Sequence, residues 1–245
     1  MGAFVASYSG GKDSILAIDR SISAGHRPLG LITTYNTDAG RSWFHGLSAS
    51  AIDAVSQSLK IPIKLIKTNG ENYAANFEAA LTQAKQNGAS MCIFGDIDIE
   101  THLQWCQKCC ENAGIEAFFP LLYSLNQKAD TPLATNRPSH FASGVSELSL
   151  ASMKQNRKNL VHELIDKGYT ARITIVNTNK IAEKFLGKIL THSLVEKIDK
   201  SGADACGENG EYHTLVTDGP IFSQPVGVTF GDVIKQGEYI ILPIL

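Results

Sequence analysis

The most constraining feature of the sequence is a glycine-rich hexapeptide between an apolar run at residues 3–8 and a helical pattern that begins at Ile15. A strand that passes through paired glycines into a helix forms a phosphate-binding loop, because the glycines permit a sharp turn and the helix N-terminus offers free N–H groups. The lysine adds a positive charge and the serines add hydroxyl donors. We therefore expect nucleotide phosphates to contact Ser9, Gly10, Gly11, Lys12, Asp13 and Ser14.

The hexapeptide is not a Walker A loop, whose first glycine would fall at Ala6 and whose Ser/Thr would fall at Asp13. An acidic side chain beside phosphates is costly unless a cation neutralises it, so Asp13 is a candidate ligand of Mg²⁺. A competing interpretation is a simple glycine turn in which Asp13 or Ser14 caps the helix. The hexapeptide resembles the pyrophosphate-binding loop of the ATP-pyrophosphatase superfamily. This resemblance implies ATP as the ligand and AMP as a product.

The first half of the chain alternates strand-like and helix-like segments, which predicts an α/β fold with a Rossmann-like parallel sheet and helices on both faces. Ligands bind at the carboxyl ends of such strands, where Ser9, Asn36 and Gly95 are expected to converge. The predicted strands cover residues 3–8, 28–35, 62–66, 91–94 and 117–119, and the predicted helices cover 45–59, 72–86 and 102–112.

Three parts of the chain are expected from this pattern. Residues 1–121 form an ATP-binding domain, the polar and proline-punctuated residues 122–153 form an inserted loop or linker, and residues 154–245 form a smaller α+β substrate-binding domain. In the last part, helices are predicted over 154–167, 181–190 and 194–200, and a strand over 170–176.

Composition excludes several classes of protein. With 22 basic and 24 acidic residues, the chain has no overall charge that would favour a nucleic acid as partner. No apolar run has membrane-spanning length and no signal peptide is recognisable, so a cytoplasmic location is expected. The five cysteines fit reduced thiols. Cys106 and Cys109 have redox or metal spacing, but they lie in a predicted helix with no second Cys pair, which favours plain thiols over a metal site.

A second group of ionisable residues lies in the glycine-rich segment 206–222. On a strand that starts near Glu211, the side chains of Glu211 and His213 would share one face, and Glu208 could add a second carboxylate. A competing interpretation is a solvated loop that leads into an edge strand.

The two motifs together resemble the diphthine-ammonia ligase family, and stretches at residues 40–45, 95–100 and 119–121 agree. The form Cys-Gly-Glu-Asn-Gly-Glu-Tyr-His-Thr is similar to a variant branch that also occurs in organisms without diphthamide. The resemblance implies a ligase that adenylates a carboxylate, releases pyrophosphate and transfers the acyl group to ammonium. In this family, the carboxylate can belong to a modified histidine of elongation factor 2. The resemblance implies nucleotide contacts from the hexapeptide, Gly95, Asp96 and Glu100, with catalytic roles for Lys12, Glu208, Glu211 and His213.

Two further interpretations remain open at this point. An RNA-base-modifying enzyme of the same superfamily would depend on Cys106 and Cys109, whereas a non-catalytic ATP sensor would not need Glu208 and Glu211. No segment resembles a glutaminase, so free ammonium or a separate protein is the expected nitrogen source.

Overall fold

A computed structural model describes residues 1–122 and 150–245. The first of these segments is here called the first unit, and it forms a six-stranded sheet. The parallel strands lie in the order β4-β2-β1-β5-β6, and β3 pairs antiparallel with β2. This arrangement confirms the predicted fold class. The strands are β1 (Ala3–Ser7), β2 (Arg27–Asn36), β3 (Arg41–Ser42), β4 (Ile63–Thr68), β5 (Met91–Ile93) and β6 (Glu116–Phe118).

Helices connect these strands and cover the sheet. They are α1 (Lys12–Ser23), α2 (Ala49–Leu59), α3 (Tyr73–Gln86) and α4 (Glu100–Ala113). The predicted start of a helix at residue 45 is wrong, because α2 begins only after Ser48, whose hydroxyl accepts a 3.1 Å hydrogen bond from the Ala51 N–H. This N-cap ends the preceding turn and leaves His45 outside the helix.

The second described segment, here called the second unit, is α+β. Its antiparallel sheet has the order β8-β7-β10-β9. The elements are α5 (Leu150–Asp166), β7 (Thr170–Asn177), α6 (His192–Lys200), β8 (Tyr212–Asp218), β9 (Ile234–Gln236) and β10 (Tyr239–Ile241).

The predicted helix over residues 181–190 is also wrong. Only a 3₁₀ turn, Glu183–Phe185, forms there. The following residues run beside β7 instead, where the Ile173 N–H donates to the Lys188 carbonyl and the Leu190 N–H donates to the Ala171 carbonyl, both at 2.8 Å. Pairing with a strand that is distant in sequence therefore overrides the helical spacing of apolar residues.

One continuous core joins the two units. It includes Phe4 and Ile15 from the first unit and Val161, Ile173 and Val195 from the second. The division at residues 121 and 153 stays a prediction, and most of the middle segment lies outside the described residues. Within the part of the chain that the structure describes, no helix has the length and apolar character needed to cross a membrane.

Candidate functional site

A cavity of about 620 Å³ lies where the carboxyl ends of β1 and β5 meet the second unit. Ser9, Lys12 and Asp13 line it from the first unit, and Glu208 and His213 line it from the second. The sequence motifs at residues 9–14 and 206–214 therefore meet in one space, although about two hundred positions separate them in the chain.

Residues 9–14, which we call the phosphate loop after their predicted role, form a turn in which Gly10 has a φ of 94° and Gly11 caps α1. A side chain at residue 10 would strain the backbone at that φ. The Ser9 hydroxyl accepts from the Gly11 N–H at 3.3 Å, and the Ser14 hydroxyl donates to the Gly11 carbonyl at 2.9 Å. These bonds hold the loop closed around the N-terminus of α1, which is the geometry that binds anions.

Lys12 supplies a buried positive charge at this N-terminus. Its side chain is 7% exposed and its Nζ lies 2.7 Å from Oδ2 of Asp13. Burial by itself lowers the pKa of Lys12, but the neighbouring Asp13 carboxylate raises that pKa well above its usual value. The ammonium group therefore remains charged inside the cavity.

Strand β8 of the second unit holds the phosphate loop from the other side. The Lys12 N–H donates to the Thr214 hydroxyl at 3.1 Å, and the Val216 N–H donates to the Gly10 carbonyl at 3.0 Å. Nδ1 of His45 lies 2.7 Å from the Thr214 carbonyl oxygen. The phosphate loop is thus fixed by residues from both units.

Asp13, Cys206 and Glu208 bring potential metal-ligand atoms within 4.8 Å of one another. Burial, and then the nearby Asp13, raise the pKa of Glu208 to about 8. Burial likewise raises the pKa of Cys206, so this thiol stays protonated. Mg²⁺ prefers oxygen ligands, and the neighbouring carboxyl oxygens of Asp13 and Glu208 fit that preference.

Glu211 does not line the cavity together with His213, in contrast to the expected shared strand face. Strand β8 begins at Tyr212, one residue after Glu211, which is 4% exposed. The Glu211 carboxylate accepts from the Asp204 N–H at 3.1 Å and from the Asn209 N–H at 3.0 Å. It therefore stabilises the acidic turn, which we define as residues 204–211.

The acidic turn is also held from outside. The Arg157 guanidinium of α5 forms an ion pair with Asp204 and a 2.9 Å hydrogen bond with Oδ2 of Asp98, which follows β5. Because Arg157 contacts both units, the position of Glu208 depends on residues that are not part of the cavity wall.

The end of β5 contributes Gly95 and Asp96 to the cavity, as expected. A Cβ at residue 95 would lie 2.7 Å from the Ser14 nitrogen, so only glycine permits this close approach to α1. Burial raises the pKa of Asp96, although His102 acts in the opposite direction. Glu100 does not line the cavity; its carboxylate accepts from the side chain of Gln104 in an exposed part of α4.

Sequence reasoning missed several residues of the cavity wall. Tyr73 and Trp105 form an aromatic wall with ring centroids 5.8 Å apart. His45 was assigned to a helix, but its ring lies 4.9 Å from that of His213. A Cβ at Gly11 would lie only 2.4 Å from Cε1 of His45. Aromatic residues at helical spacing usually indicate a core, and no local sequence pattern distinguishes Tyr73 and Trp105 from core residues.

All five cysteines are free and buried. Cys106 also lines the cavity, where its sulfur lies 3.8 Å from Oδ2 of Asp96. Burial raises the thiol pKa of Cys106, and burial raises that of Cys109 to about 12. Neither thiol is therefore a ready thiolate nucleophile.

Comparison with known protein families gives a match in each of the two units. The profile of the diphthamide synthase N-terminal domain matches residues 2–117, and that of the diphthamide synthase C-terminal domain matches residues 156–239. The chain belongs to the diphthamide synthase family. The two matches lie on either side of the stretch that the structure leaves undescribed and contain the phosphate loop and the acidic turn, respectively.

Several relatives of the family bear the name diphthine–ammonia ligase. The protein of Schizosaccharomyces pombe is 22% identical over 94% of this chain, which spans 36% of that relative's length. The Homo sapiens protein is 22% identical over 96% of this chain and 86% of its own length. A solved structure, described as a predicted subunit of tRNA methyltransferase from Methanocaldococcus jannaschii, is 12% identical, covers 91% of this chain and 100% of that chain, and has a TM-score of 0.39. That likeness is too weak to support an argument.

Proposed function

We propose that the protein is an ATP-dependent ligase that converts a carboxylate into an amide through an acyl-adenylate. The observation that supports this function best is the shared cavity, in which the phosphate loop of the first unit meets Glu208 and His213 of the second. A nucleotide site and an acid–base pair in one cavity provide what activation and transfer of an acyl group require.

The reaction has two steps. In the first, an oxygen of the acceptor carboxylate attacks the α-phosphorus of ATP, and the bond to the bridging oxygen breaks to release pyrophosphate. In the second, the nitrogen of ammonia attacks the acyl carbon, the nitrogen loses a proton, and AMP leaves with the bonding electrons. The products are an amide, AMP and pyrophosphate.

The phosphate loop is assigned to the first step. The turn at Gly10 and Gly11 admits the β and γ phosphates to the N-terminus of α1, where Ser9 and Ser14 add hydroxyl groups. Lys12 neutralises charge as pyrophosphate forms. Asp13 and Glu208 are the residues that would hold Mg²⁺. When bound, such a cation offsets the negative charge of the phosphates.

His213 is assigned to the second step. Burial, followed by the nearby Lys12, lowers the pKa of His213 to about 4, so the imidazole is neutral near pH 7. A neutral imidazole in the cavity can accept the proton that the attacking nitrogen loses. Glu211 is assigned a supporting role, because its carboxylate is hydrogen-bonded within the acidic turn.

The proposed acceptor is the carboxylate of diphthine, because the relatives bear the name diphthine–ammonia ligase. Elongation factor 2 bearing diphthine is therefore the first acceptor to test. Ammonium is the proposed nitrogen donor, and the cytoplasm is the proposed location.

The experiment combines the protein with Mg²⁺, ATP labelled in the α-phosphate, isotopically labelled ammonium and elongation factor 2 bearing diphthine. We expect labelled AMP to form only with the acceptor, and mass spectrometry to find the nitrogen label in the acceptor. Omission of acceptor and the Lys12→Ala variant are the controls. ADP and orthophosphate as the main products, or a strict requirement for glutamine, would contradict the proposal.

A further inference from the structure

Thr214 is the residue through which the second unit contacts the phosphate loop most directly. It lies on β8, is 2% exposed, and belongs to the cavity wall. Its hydroxyl accepts the 3.1 Å hydrogen bond from the Lys12 N–H, which joins residues 202 positions apart in the chain. This bond therefore exists only while the two units are packed together.

The Lys12 N–H, which donates to Thr214, is among the first N–H groups of α1. An anion site at a helix N-terminus depends on these donors. The first N–H groups of a helix have no acceptor within the helix, and in phosphate loops they bind phosphate oxygens. Here the Thr214 hydroxyl already takes the Lys12 N–H. A hydroxyl that accepts one hydrogen bond still carries its own hydrogen and can donate it. Thr214 thus occupies the N–H donor of Lys12, but its own hydroxyl hydrogen can serve as a donor in the same place.

The backbone around Thr214 fixes the position of this hydroxyl. The carbonyl oxygen of Thr214 can only accept, so Nδ1 of His45 must carry the hydrogen in their 2.7 Å contact. Two residues further along β8, the Val216 N–H donates to the Gly10 carbonyl at 3.0 Å. The side chain of threonine is also stiff, because it branches at Cβ.

We propose that Thr214 is a phosphate-positioning residue whose hydroxyl accepts from the Lys12 N–H and donates to a phosphate oxygen of the bound nucleotide. Nucleotide binding is thereby coupled to the packing of the second unit on the first. This inference rests on the proposed function, because it takes the phosphate loop to be an ATP site.

The test compares Thr214→Val, which keeps the shape and loses the hydroxyl, with Thr214→Ser, which keeps the hydroxyl. ATP affinity is measured by calorimetry with Mg²⁺, without acceptor or ammonium. We expect Thr214→Val to weaken ATP binding about tenfold and Thr214→Ser to change it less than about threefold. Thr174→Val is the matched control: Thr174 is fully buried on β7, and its hydroxyl lies 3.5 Å from the His213 carbonyl rather than on the phosphate loop. We expect it to leave ATP affinity unchanged.

A second measurement reports the coupling itself. We expect ATP to slow amide hydrogen exchange in residues 212–218 of the unsubstituted protein and of Thr214→Ser, but much less in Thr214→Val. Thr214→Val with normal ATP affinity, or equal weakening by Val and Ser, would overturn the role of the hydroxyl. If Thr214→Val does not fold, the unsubstituted protein still tests the coupling. The coupling is overturned if ATP binding leaves amide hydrogen exchange in residues 212–218 unchanged. Absence of ATP binding to the unsubstituted protein would instead contradict the proposed function.

Discussion

The phosphate loop and the acidic turn are both short, glycine-rich and charged, but they use their charged residues in different ways. In the phosphate loop, the Lys12 and Asp13 side chains both line the cavity. In the acidic turn, Glu208 lines the cavity, whereas Glu211 accepts hydrogen bonds from the turn's own backbone. A carboxylate in a motif can therefore be either a functional group or the internal support that positions one.

The largest expected effect separates the two glutamates of the acidic turn. We expect Glu208→Gln to lower the rate of amide formation about 10²–10⁴-fold, because the cavity loses a carboxyl group whose pKa of about 8 suits proton transfer. We expect Glu211→Gln mainly to lower the free energy of unfolding, by about 1–3 kcal/mol. The two N–H groups donate to different oxygens of the carboxylate, and in glutamine an NH₂ donor replaces one of those oxygens.

Amide formation is measured with labelled ammonium, and stability is measured by urea unfolding of the same preparations. If both variants lose the rate of amide formation equally and Glu211→Gln loses no stability, Glu211 has a catalytic role. No phenotype in Glu208→Gln would favour a non-catalytic ATP sensor.

The next effect tests the phosphate loop. We expect Lys12→Ala to weaken ATP binding by about 2–3 kcal/mol, because a charge-assisted phosphate contact is lost and the Asp13 carboxylate then lies unpaired beside the phosphates. Calorimetry on the folded variant measures this change. Lys188→Ala, an exposed lysine of the second unit, is the control for loss of a positive charge. Unchanged ATP affinity in Lys12→Ala would contradict nucleotide binding at this loop.

A smaller effect concerns the contact between His45 and β8. Burial, followed by the neighbouring His213, lowers the pKa of His45 to about 3. The unfolded chain binds a proton at His45 below about pH 6.5, whereas the folded protein does so only near pH 3. This contribution to stability is therefore complete above pH 6.5 and is lost as the pH falls toward 3.

At pH 5 we expect the titration of His45 to lower the free energy of unfolding by about 2 kcal/mol relative to its value at neutral pH. Urea unfolding at pH 7.5 and pH 5 measures the difference, and His45→Gln should reduce it. The same pH dependence in both proteins would mean that His45 is not buried as a neutral group.

The smallest effect is expected for the cysteine pair. Replacing Cys106 and Cys109 together by Ser should keep acceptor-dependent AMP formation within a few-fold, because burial raises the pKa of both thiols and neither is ionised as a nucleophile. AMP release is measured together with metal content. Stoichiometric zinc or iron that is lost along with activity in the double variant would support the RNA-modifying alternative.

The sequence predicted the strand–turn–helix geometry at residues 9–14 well, because its determinants are contiguous: a strand, two glycines and a helix N-terminus. Phosphate binding at this turn stays a prediction. It predicted the acidic turn less well. The expected face shared by Glu211 and His213 assumed a regular strand, but Gly210 has a φ of 78° and β8 starts after Glu211. The position of His45 was not predictable either, because the N-cap at Ser48 overrode a helical pattern and the partner strand lies far away in the chain.

The Arg157 contacts with Asp98 and Asp204, together with the continuous core, have a consequence for how the protein unfolds. Opening the boundary between the units would separate the Arg157 guanidinium, which stays paired with Asp204 inside the second unit, from the Asp98 carboxylate of the first unit. It would also expose apolar side chains on both sides. Partial opening is therefore costly compared with complete unfolding. We expect a single denaturation transition that includes both units, and a fragment limited to either unit should not retain the cavity.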